Sequence, residues 1–329
     1  MMNNAITLAH GNGGRLMHEL IDRIHSFFKN PILDEMTDAG EFRLSSTRYA
    51  FSTDSYVVKP LFFPGSDIGR LAVYGTVNDL AMKAALPRYL SCGFIIEEGF
   101  PIPTFDRVVQ SMATAAKNAR IAIITGDIKV VEKRSADQLF INTAGIGTIQ
   151  TSHHITAQAR PGDTIVINGH IAEHGLAVLS EREKLDFGHT IKSDCQNLAP
   201  IVFKCLKQST RIHVLRDLTR GGLATALNEI ARSSNLGIEI DETKVPIKKP
   251  VQKLCDILGF DPLYIANEGK FICFVHPQDA AKIKKAMGKT GAIIGRTTTS
   301  HRREVFGTTR LGSTRLIPML EVDQLPRIC

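Results

Sequence analysis

The sequence predicts an α/β (α+β) chain built from two units. Strand-like and helix-like periods alternate from Phe51 to Ile149 and begin again at Thr164. A turn signal, Ala159-Arg-Pro-Gly-Asp163, separates the two runs. The length of 329 residues suits about two domains, and 43% hydrophobic with 22% charged residues is an ordinary globular balance. These observations place 1–155 in an N-terminal domain, 156–320 in a C-terminal domain and 321–329 in a tail.

In chain order, a helical pattern starts at Arg15. Phe51–Val58 alternates as a strand. Ile68–Ala84 repeats apolar residues at helical spacing. Arg88–Ile96 reads as a strand, Thr104–Ala119 as a helix, and Ile121–Val131 and Gln138–Ile149 as strands. The second unit opens with a strand at Thr164–Asn168. Helices follow at Glu173–Leu185, at Cys195–Gln208 and after Gly221-Gly222. Gly237–Ile240 and Phe271–Val275 read as strands, Gln278–Met287 as a helix and Ala292–Ile294 as a strand. Pro326 in the last nine residues, with no periodic partner, marks a tail rather than a packed element.

Composition excludes several classes. No apolar run reaches the ~18 residues of a membrane span, and Met1–Met17 lacks an apolar signal core. Cysteines at 92, 195, 205, 255, 273 and 329 show no two-residue spacing, so free thiols in a reducing cytoplasm are expected. The net charge is +7, but the basic residues are scattered and do not interleave with aromatics. That favours anionic phosphates over nucleic acid as the partner.

Five features can carry chemistry, each with a plainer alternative. His10-Gly-Asn-Gly-Gly14 precedes a helical pattern, so its backbone N–H groups suit an anion, or it is a simple turn. Asp54, Asn78-Asp79, Asp127 and Asp217 lie at strand ends or in an apolar helix. Together they suit Mg²⁺, which takes a few carboxylates plus phosphate oxygens; singly each reads as a cap or turn residue. Lys129, between apolar residues, could donate to phosphate or face solvent. Glu268, before Gly269 on a connection between strands, could be a general base or a turn residue. Cys329 ends the chain. Nine residues from Glu321 reach about 30 Å. The terminal carboxylate raises this thiol's pKa and Arg327 opposes it, so the thiol is not self-activated.

These motifs occur in one order: His10-Gly-Asn-Gly-Gly14, Thr53-Asp-Ser-Tyr-Val-Val58, Asn78-Asp-Leu80, Thr125-Gly-Asp-Ile-Lys-Val-Val131, Arg216-Asp-Leu-Thr-Arg-Gly-Gly222 and Asn267-Glu-Gly269, ending in Pro326-Arg-Ile-Cys329. The whole chain resembles the HypE family of carbamoyl dehydratases. That family lies within the aminoimidazole ribonucleotide synthetase, or PurM-like, superfamily. The terminal Pro-Arg-Ile-Cys selects HypE within it.

The resemblance implies a two-domain PurM-like fold. Its N-terminal domains pair across a homodimer into a β-barrel, with ATP in a cleft near that interface. It also implies a reaction in nickel–iron hydrogenase maturation. The carbamoyltransferase HypF loads Cys329, the chain uses ATP to dehydrate the thiocarboxamide to a thiocyanate, and cyanide passes to iron on the HypC–HypD scaffold. By matching motif, Asp54, Asp79 and Asp217 would hold Mg²⁺ and the phosphates. His10, Gly11, Asn12, Gly13, Gly14, Asn78, Asp127, Lys129, Gly221 and Gly222 would line the nucleotide site. Cys329, Glu268 and Lys129 would be catalytic, with the base either Glu268 or Lys129, and the tail would have to move. Asn12 and Ile128 stand where Ser and Thr are expected, which implies tuning. The alternatives are a small-molecule ATP enzyme of the same superfamily, which needs no terminal thiol, and a non-catalytic ATP-binding assembly factor.

Overall fold

A computed structural model describes residues 6, 10, 14–28, 30–149, 153–185, 191–320 and 325. Gly11, Asn12, Gly13 and Cys329 therefore lie outside the described residues.

The first half begins with α1 (Arg15–Phe28), followed by β1 (Gly40–Leu44), β2 (Thr47–Tyr56) and a small hairpin of β3 (Phe62–Phe63) and β4 (Ser66–Asp67). Then come α2 (Ile68–Met82), β5 (Ala85–Glu97), α3 (Ile102–Ala119), β6 (Ala122–Val131) and β7 (Leu139–Ile149). Five strands form one sheet in the order β1-β2-β7-β5-β6, antiparallel except for the parallel β5–β6 pair.

One face of this sheet is covered by α2. Leu139, Ile141, Thr143 and Ile149 of β7 point into it and are buried. Gly145 allows the close approach, because a Cβ there would meet Leu90, Thr76 and Leu80 side chains within 3.0 Å. The other face carries exposed Phe51, Tyr89 and Ile95. The edge strand β6 is exposed along nearly its whole length, including Ile123, Ile124, Ile128 and Val130. A β-branched edge strand left this open is a pairing surface.

The second half contains β8 (Thr164–Ile167), α4 (Glu173–Arg182), α5 (Ala199–Leu206), β9 (Ile212–Asp217), α6 (Gly222–Ser234) and β10 (Gly237–Asp241). It continues with α7 (Lys249–Leu258), β11 (Phe271–Val275), α8 (Ala280–Met287), β12 (Ala292–Thr298), β13 (Val305–Thr308) and β14 (Thr314–Leu316). Seven strands order as β14-β13-β10-β12-β8-β11-β9. β9 thus lies at the sheet edge that meets α2.

The sequence pattern missed β1, β9, α7, β13 and β14, and α5 starts four residues later than expected. β9 hides because its polar residues are buried by pairing. His213 meets Asp163 at 2.8 Å, and Arg216 meets Glu229 at 2.7 Å and also Asp38. α7 reads as charged because only Val251, Leu254 and Cys255 turn inward.

Asn78 staples the two halves. Its Nδ2 donates to the carbonyls of Gln196 (3.1 Å) and Glu268 (3.4 Å), and its Oδ1 accepts from the Leu198 N–H at 2.7 Å. The amide nitrogen and oxygen of this buried side chain both bond to backbone, which gives Asn78 a structural role beside the expected one at the nucleotide. Asn78→Ala strands these buried groups and should cost about 2–4 kcal/mol. Urea denaturation would show this as a lower midpoint.

Candidate active site

Three elements converge on one acidic cluster. Asp54 sits on β2 among residues that alternate toward α2, between buried Ser52 and buried Tyr56. Asp79 projects from α2 and accepts a 2.6 Å hydrogen bond from Ser52 Oγ, which ties the helix to β2. Asp217 ends β9, opposite Phe271 on β11, so strand pairing brings it beside the segment that carries Glu268.

Asp194, not anticipated from sequence, braces that segment. It accepts from the Glu268 N–H at 3.0 Å and the Gly269 N–H at 3.2 Å, and pairs with Lys270 at 2.9 Å. Glu268 is itself buried, and its Oε1 has no hydrogen-bond partner. A buried carboxylate oxygen left open in this way is costly unless something else meets it.

Beneath the cluster runs a chain of hydroxyls. Tyr56 meets Thr76 at 3.3 Å, Thr76 meets Thr143 at 2.7 Å, and Thr143 donates to the Ala72 carbonyl at 2.8 Å. Gly75 makes this possible, since a Cβ there would come within 2.2 Å of the Tyr56 hydroxyl.

The electrostatics follow from crowding. Burial, then Asp217, Asp54 and Asp38, push the Asp79 carboxyl well above the usual carboxylate range. Asp217 is raised by burial, with Arg216 and a hydrogen bond from Asp79 pulling the other way. Two carboxylates at hydrogen-bonding range repel by about 4 kcal/mol at an effective dielectric near 20. This crowding favours the protonated forms of Asp79 and Asp217 over the ionised ones. Burial also raises Asp54, opposed first by Arg220. Glu268 is pushed well up by burial and then by Asp54, Asp217 and Asp194, with Arg220 opposing. Arg220 is thus the cation aimed at both Asp54 and Glu268. It lay inside a quoted motif, yet its role was not legible there, because only the fold turns it toward those two carboxylates.

Among the described residues, no three His, Cys, Asp or Glu side chains form a ready-made metal cage. The donors are nevertheless hard oxygens that carry excess negative charge, which fits a cation whose coordination is completed by phosphate and water.

Gly221 and Gly222 open α6 with φ of 74° and 62°. A Cβ on Gly222 would lie 2.6 Å from the Leu263 carbonyl and 2.7 Å from that of Ile265. Glycine here allows close packing of backbone and points the helix N-terminus from beside Asp217 and Arg220.

A cavity of about 630 Å³ adjoins the cluster, lined by Met82, Lys83, Leu215, Ile230 and Met319, with Asp38 and Arg216 on its wall. Burial disfavours the Arg216 charge, but Asp38, Glu229 and Asp217 outweigh that and hold it protonated. His18 of α1 closes one side by meeting Glu229 at 2.8 Å and the Gly14 carbonyl at 2.9 Å. Gly14 therefore anchors α1, while His10 is half-buried nearby in sequence.

Asp127 and Lys129 stand elsewhere. Asp127 lies mid-strand in β6, not at a strand end as expected, and is paired with Lys129 at 2.8 Å. Both side chains are about 70% exposed (70% and 68%). In register they align with Gly93 and Ile95, whereas Asp54 aligns with buried Thr143 and, across it, Cys92. Alternation puts the two sets on opposite faces of the sheet. One protomer does not bring Lys129 to Asp54, Asp79 or Glu268.

The tail also differs from expectation. Leu325 is buried, with 3% exposure, and belongs to the main apolar core. The chain is therefore packed at least once after Leu320.

Residues 36–149 match the family "AIR synthase related protein, N-terminal domain", and residues 160–307 match its C-terminal domain. Carbamoyl dehydratase HypE of Azotobacter vinelandii is 44% identical over 336 residues, covering 100% of this chain and 98% of that protein. The chain belongs to the HypE family. A crystal structure of hydrogenase maturation protein HypE in complex with ATP superposes with a TM-score of 0.84 at 46% identity, covering 99% of this chain and 100% of that one. A HypE–HypF complex gives 0.87 at 42% identity, covering 93% and 100%. The PurM-like α/β architecture expected from the motifs is the one observed.

The crowded carboxyls make a directional prediction. Their folded pKa values lie above the unfolded ones, so their contribution to stability is full at low pH and is lost as pH rises through the folded values. Mg²⁺ should therefore raise the melting temperature more at about pH 8.5 than at about pH 5.5, where protons occupy the cluster. Differential scanning fluorimetry would read this, and Asp79→Asn should remove most of the Mg²⁺ increment.

Proposed function

We propose that this chain is an ATP-dependent carbamoyl dehydratase that acts on a carbamoyl group carried by its own Cys329. The observation that carries the reading is the conjunction of a crowded acidic cluster with Glu268, whose Oε1 is buried and open. The name carbamoyl dehydratase borne by HypE relatives supports it, as does a HypE complex with ATP.

Asp54, Asp79 and Asp217 would hold Mg²⁺, which supplies charge neutralisation for the ATP phosphates. Arg220 and the glycine-opened start of α6 would meet the phosphate oxygens. The cavity beside Asp38 is of a size to take the base and ribose.

The chemistry needs these parts. The oxygen of a thiocarboxamide is a poor leaving group. Transfer of the γ-phosphoryl group to it, with loss of one nitrogen proton, makes phosphate the leaving group. Removal of the second proton then expels phosphate and leaves the S–C≡N group. ATP ends as ADP and phosphate, and the carbamoyl group has lost the elements of water.

Glu268 is the proposed base. Its raised pKa makes its carboxylate a stronger acceptor once ionised. It must be deprotonated to act, so dehydration should fall as pH drops through its raised pKa. Lys129 would contribute only from a second copy, because in its own protomer it lies on the other sheet face. The exposed β6 strand and the open apolar sheet face support a homodimer built there. Val130→Lys should yield a monomer by light scattering.

A HypE–HypF complex structure supports HypF as the partner that loads Cys329. A HypC–HypD iron scaffold is the proposed cyanide acceptor. Five buried free thiols suit a reducing cytoplasm. Among the described residues no helix is long and apolar enough to cross a membrane.

The test is peptide mass mapping of the C-terminus after incubation with HypF and carbamoyl phosphate, with and without ATP and Mg²⁺. Cys329 should gain a carbamoyl group and lose one water only with ATP. Cys329→Ala should bind ATP yet accept nothing. Glu268→Gln should load normally and lose at least ~100-fold in dehydration, as expected for a general base. An unmodified Cys329 beside active HypF would refute the reading.

A further inference from the structure

Resting on the dehydratase reading, we infer that Asp194 is a positioning residue: its carboxylate grips the main chain of Glu268 and Gly269 and thereby aims the proposed base.

One carboxylate meets three consecutive residues. Asp194 Oδ1 accepts from the Glu268 N–H at 3.0 Å. Its Oδ2 accepts from the Gly269 N–H at 3.2 Å and pairs with Lys270 Nζ at 2.9 Å. The chain bends at Glu268 and Gly269, and successive N–H groups in a bend can converge on one anion. Gly269 lets the two segments touch, because a Cβ there would lie 2.0 Å from the Asp194 carbonyl oxygen.

The carbonyl side of the same turn is held as firmly. The Gly269 carbonyl accepts from Gln196 Nε2 at 2.9 Å, Asn168 Nδ2 at 3.1 Å and Lys270 Nζ at 3.3 Å. The Glu268 carbonyl accepts from Asn78 Nδ2 at 3.4 Å. Asp194 and Gln196 belong to a segment tied to the first half of the chain. Its Ser193 N–H donates to the Pro64 carbonyl at 2.8 Å, and its Leu198 N–H donates to Asn78 Oδ1 at 2.7 Å. The grip is therefore anchored in both halves.

Two observations separate aiming from plain packing. Glu268 is buried, yet among the described residues its Oε1 has no hydrogen-bond partner, so the main chain is left to place it. The Asp194 and Lys270 side chains are only 3% and 8% exposed. A buried ion pair is a poor source of stability, because desolvation of both charges offsets their attraction. What the pair does supply is specific. A carboxylate offers acceptors to two adjacent N–H groups and to a cation at once, whereas an asparagine there would face one of them with its own donor. A base displaced by about 1 Å loses on the order of 100-fold in rate.

The test uses full-length protein loaded at Cys329 with HypF and carbamoyl phosphate, then given ATP and Mg²⁺ in single turnover while water loss is followed by mass. Asp194→Ala should slow dehydration about 100-fold with the loading rate unchanged. Asp194→Asn, which keeps one acceptor, should fall between alanine and wild type, and it carries the comparison where the alanine variant melts early. Combined with Glu268→Gln, either change should add less than about two-fold, because residues that act as a unit are not additive. A purely structural loss would instead slow both backgrounds alike. Separately, amide hydrogen exchange in the peptide spanning residues 266–271 should speed at least about ten-fold in the Asp194 variants. Additive slowing, wild-type dehydration by both Asp194 variants, or unchanged exchange in that peptide overturns the grip. Wild type that loads but never dehydrates overturns the dehydratase reading, while the exchange comparison still decides the grip.

Discussion

Burial of α2 on all sides is the constraint from which the site follows. The helix packs against the first sheet, α3, α5 and β9, so it has no solvent face on which to place a polar pair. Ile68, Leu71, Val73, Val77, Leu80 and Met82 are at most 1% exposed. At about 1.5–3 kcal/mol each, they contribute on the order of 10 kcal/mol even after allowing for a partly collapsed unfolded chain. The crowding of Asp79 and Asp217 raises both carboxyls, so protonation relieves their mutual repulsion. Packing therefore wins, and Asn78-Asp79 is carried into the interior despite its cost. Asn78 recovers its share through three backbone hydrogen bonds. Asp79 recovers only part, through the hydrogen bond from Ser52.

This division explains what the sequence disclosed. A helix apolar all round is visible as a pattern, and carboxylates inside it are conspicuous. Asp54, Asp79, Asp127 and Asp217 were grouped because they lie at strand ends or in an apolar helix, and Glu268 was singled out separately; the fold brings Asp54, Asp79, Asp217 and Glu268 close enough to act on one another. Asn78 was conspicuous for the same reason, but its partners lie more than a hundred residues away, so a bridging amide could not be told from a ligand. β9 was invisible for the converse reason: its His213 and Arg216 are buried by partners from distant parts of the chain. Asp194 and Arg220 belong to the same class. Their roles are set by tertiary contact alone.

Linear order does not report which sheet face a residue occupies. Asp127 and Lys129 lie in a motif as compact as the one containing Asp54, and grouping by motif placed them together. Strand alternation separates them, since the register puts one set against α2 and the other on the open face. The sequence alone carries no information on which residues of β2 and β6 share a face, because a one-residue shift of register exchanges all of them.

The same arrangement gives the two acid–base neighbourhoods different tasks. Asp79 and Asp217 are both raised by burial and by the carboxylates around them, so protonation of this pair is coupled to the local charge. Asp194 fixes the backbone of Glu268 rather than its carboxyl group. Among the described residues the Glu268 Oε1 has no hydrogen-bond partner, and Arg220 opposes the rise in its pKa only by charge. In the proposed role, a base for a weakly acidic N–H gains from little stabilisation of its ionised form before the substrate arrives. Bracing Glu268 through its main chain, while leaving its carboxyl oxygen bare and buried, achieves both at once: the position is rigid, and the affinity for a proton stays high.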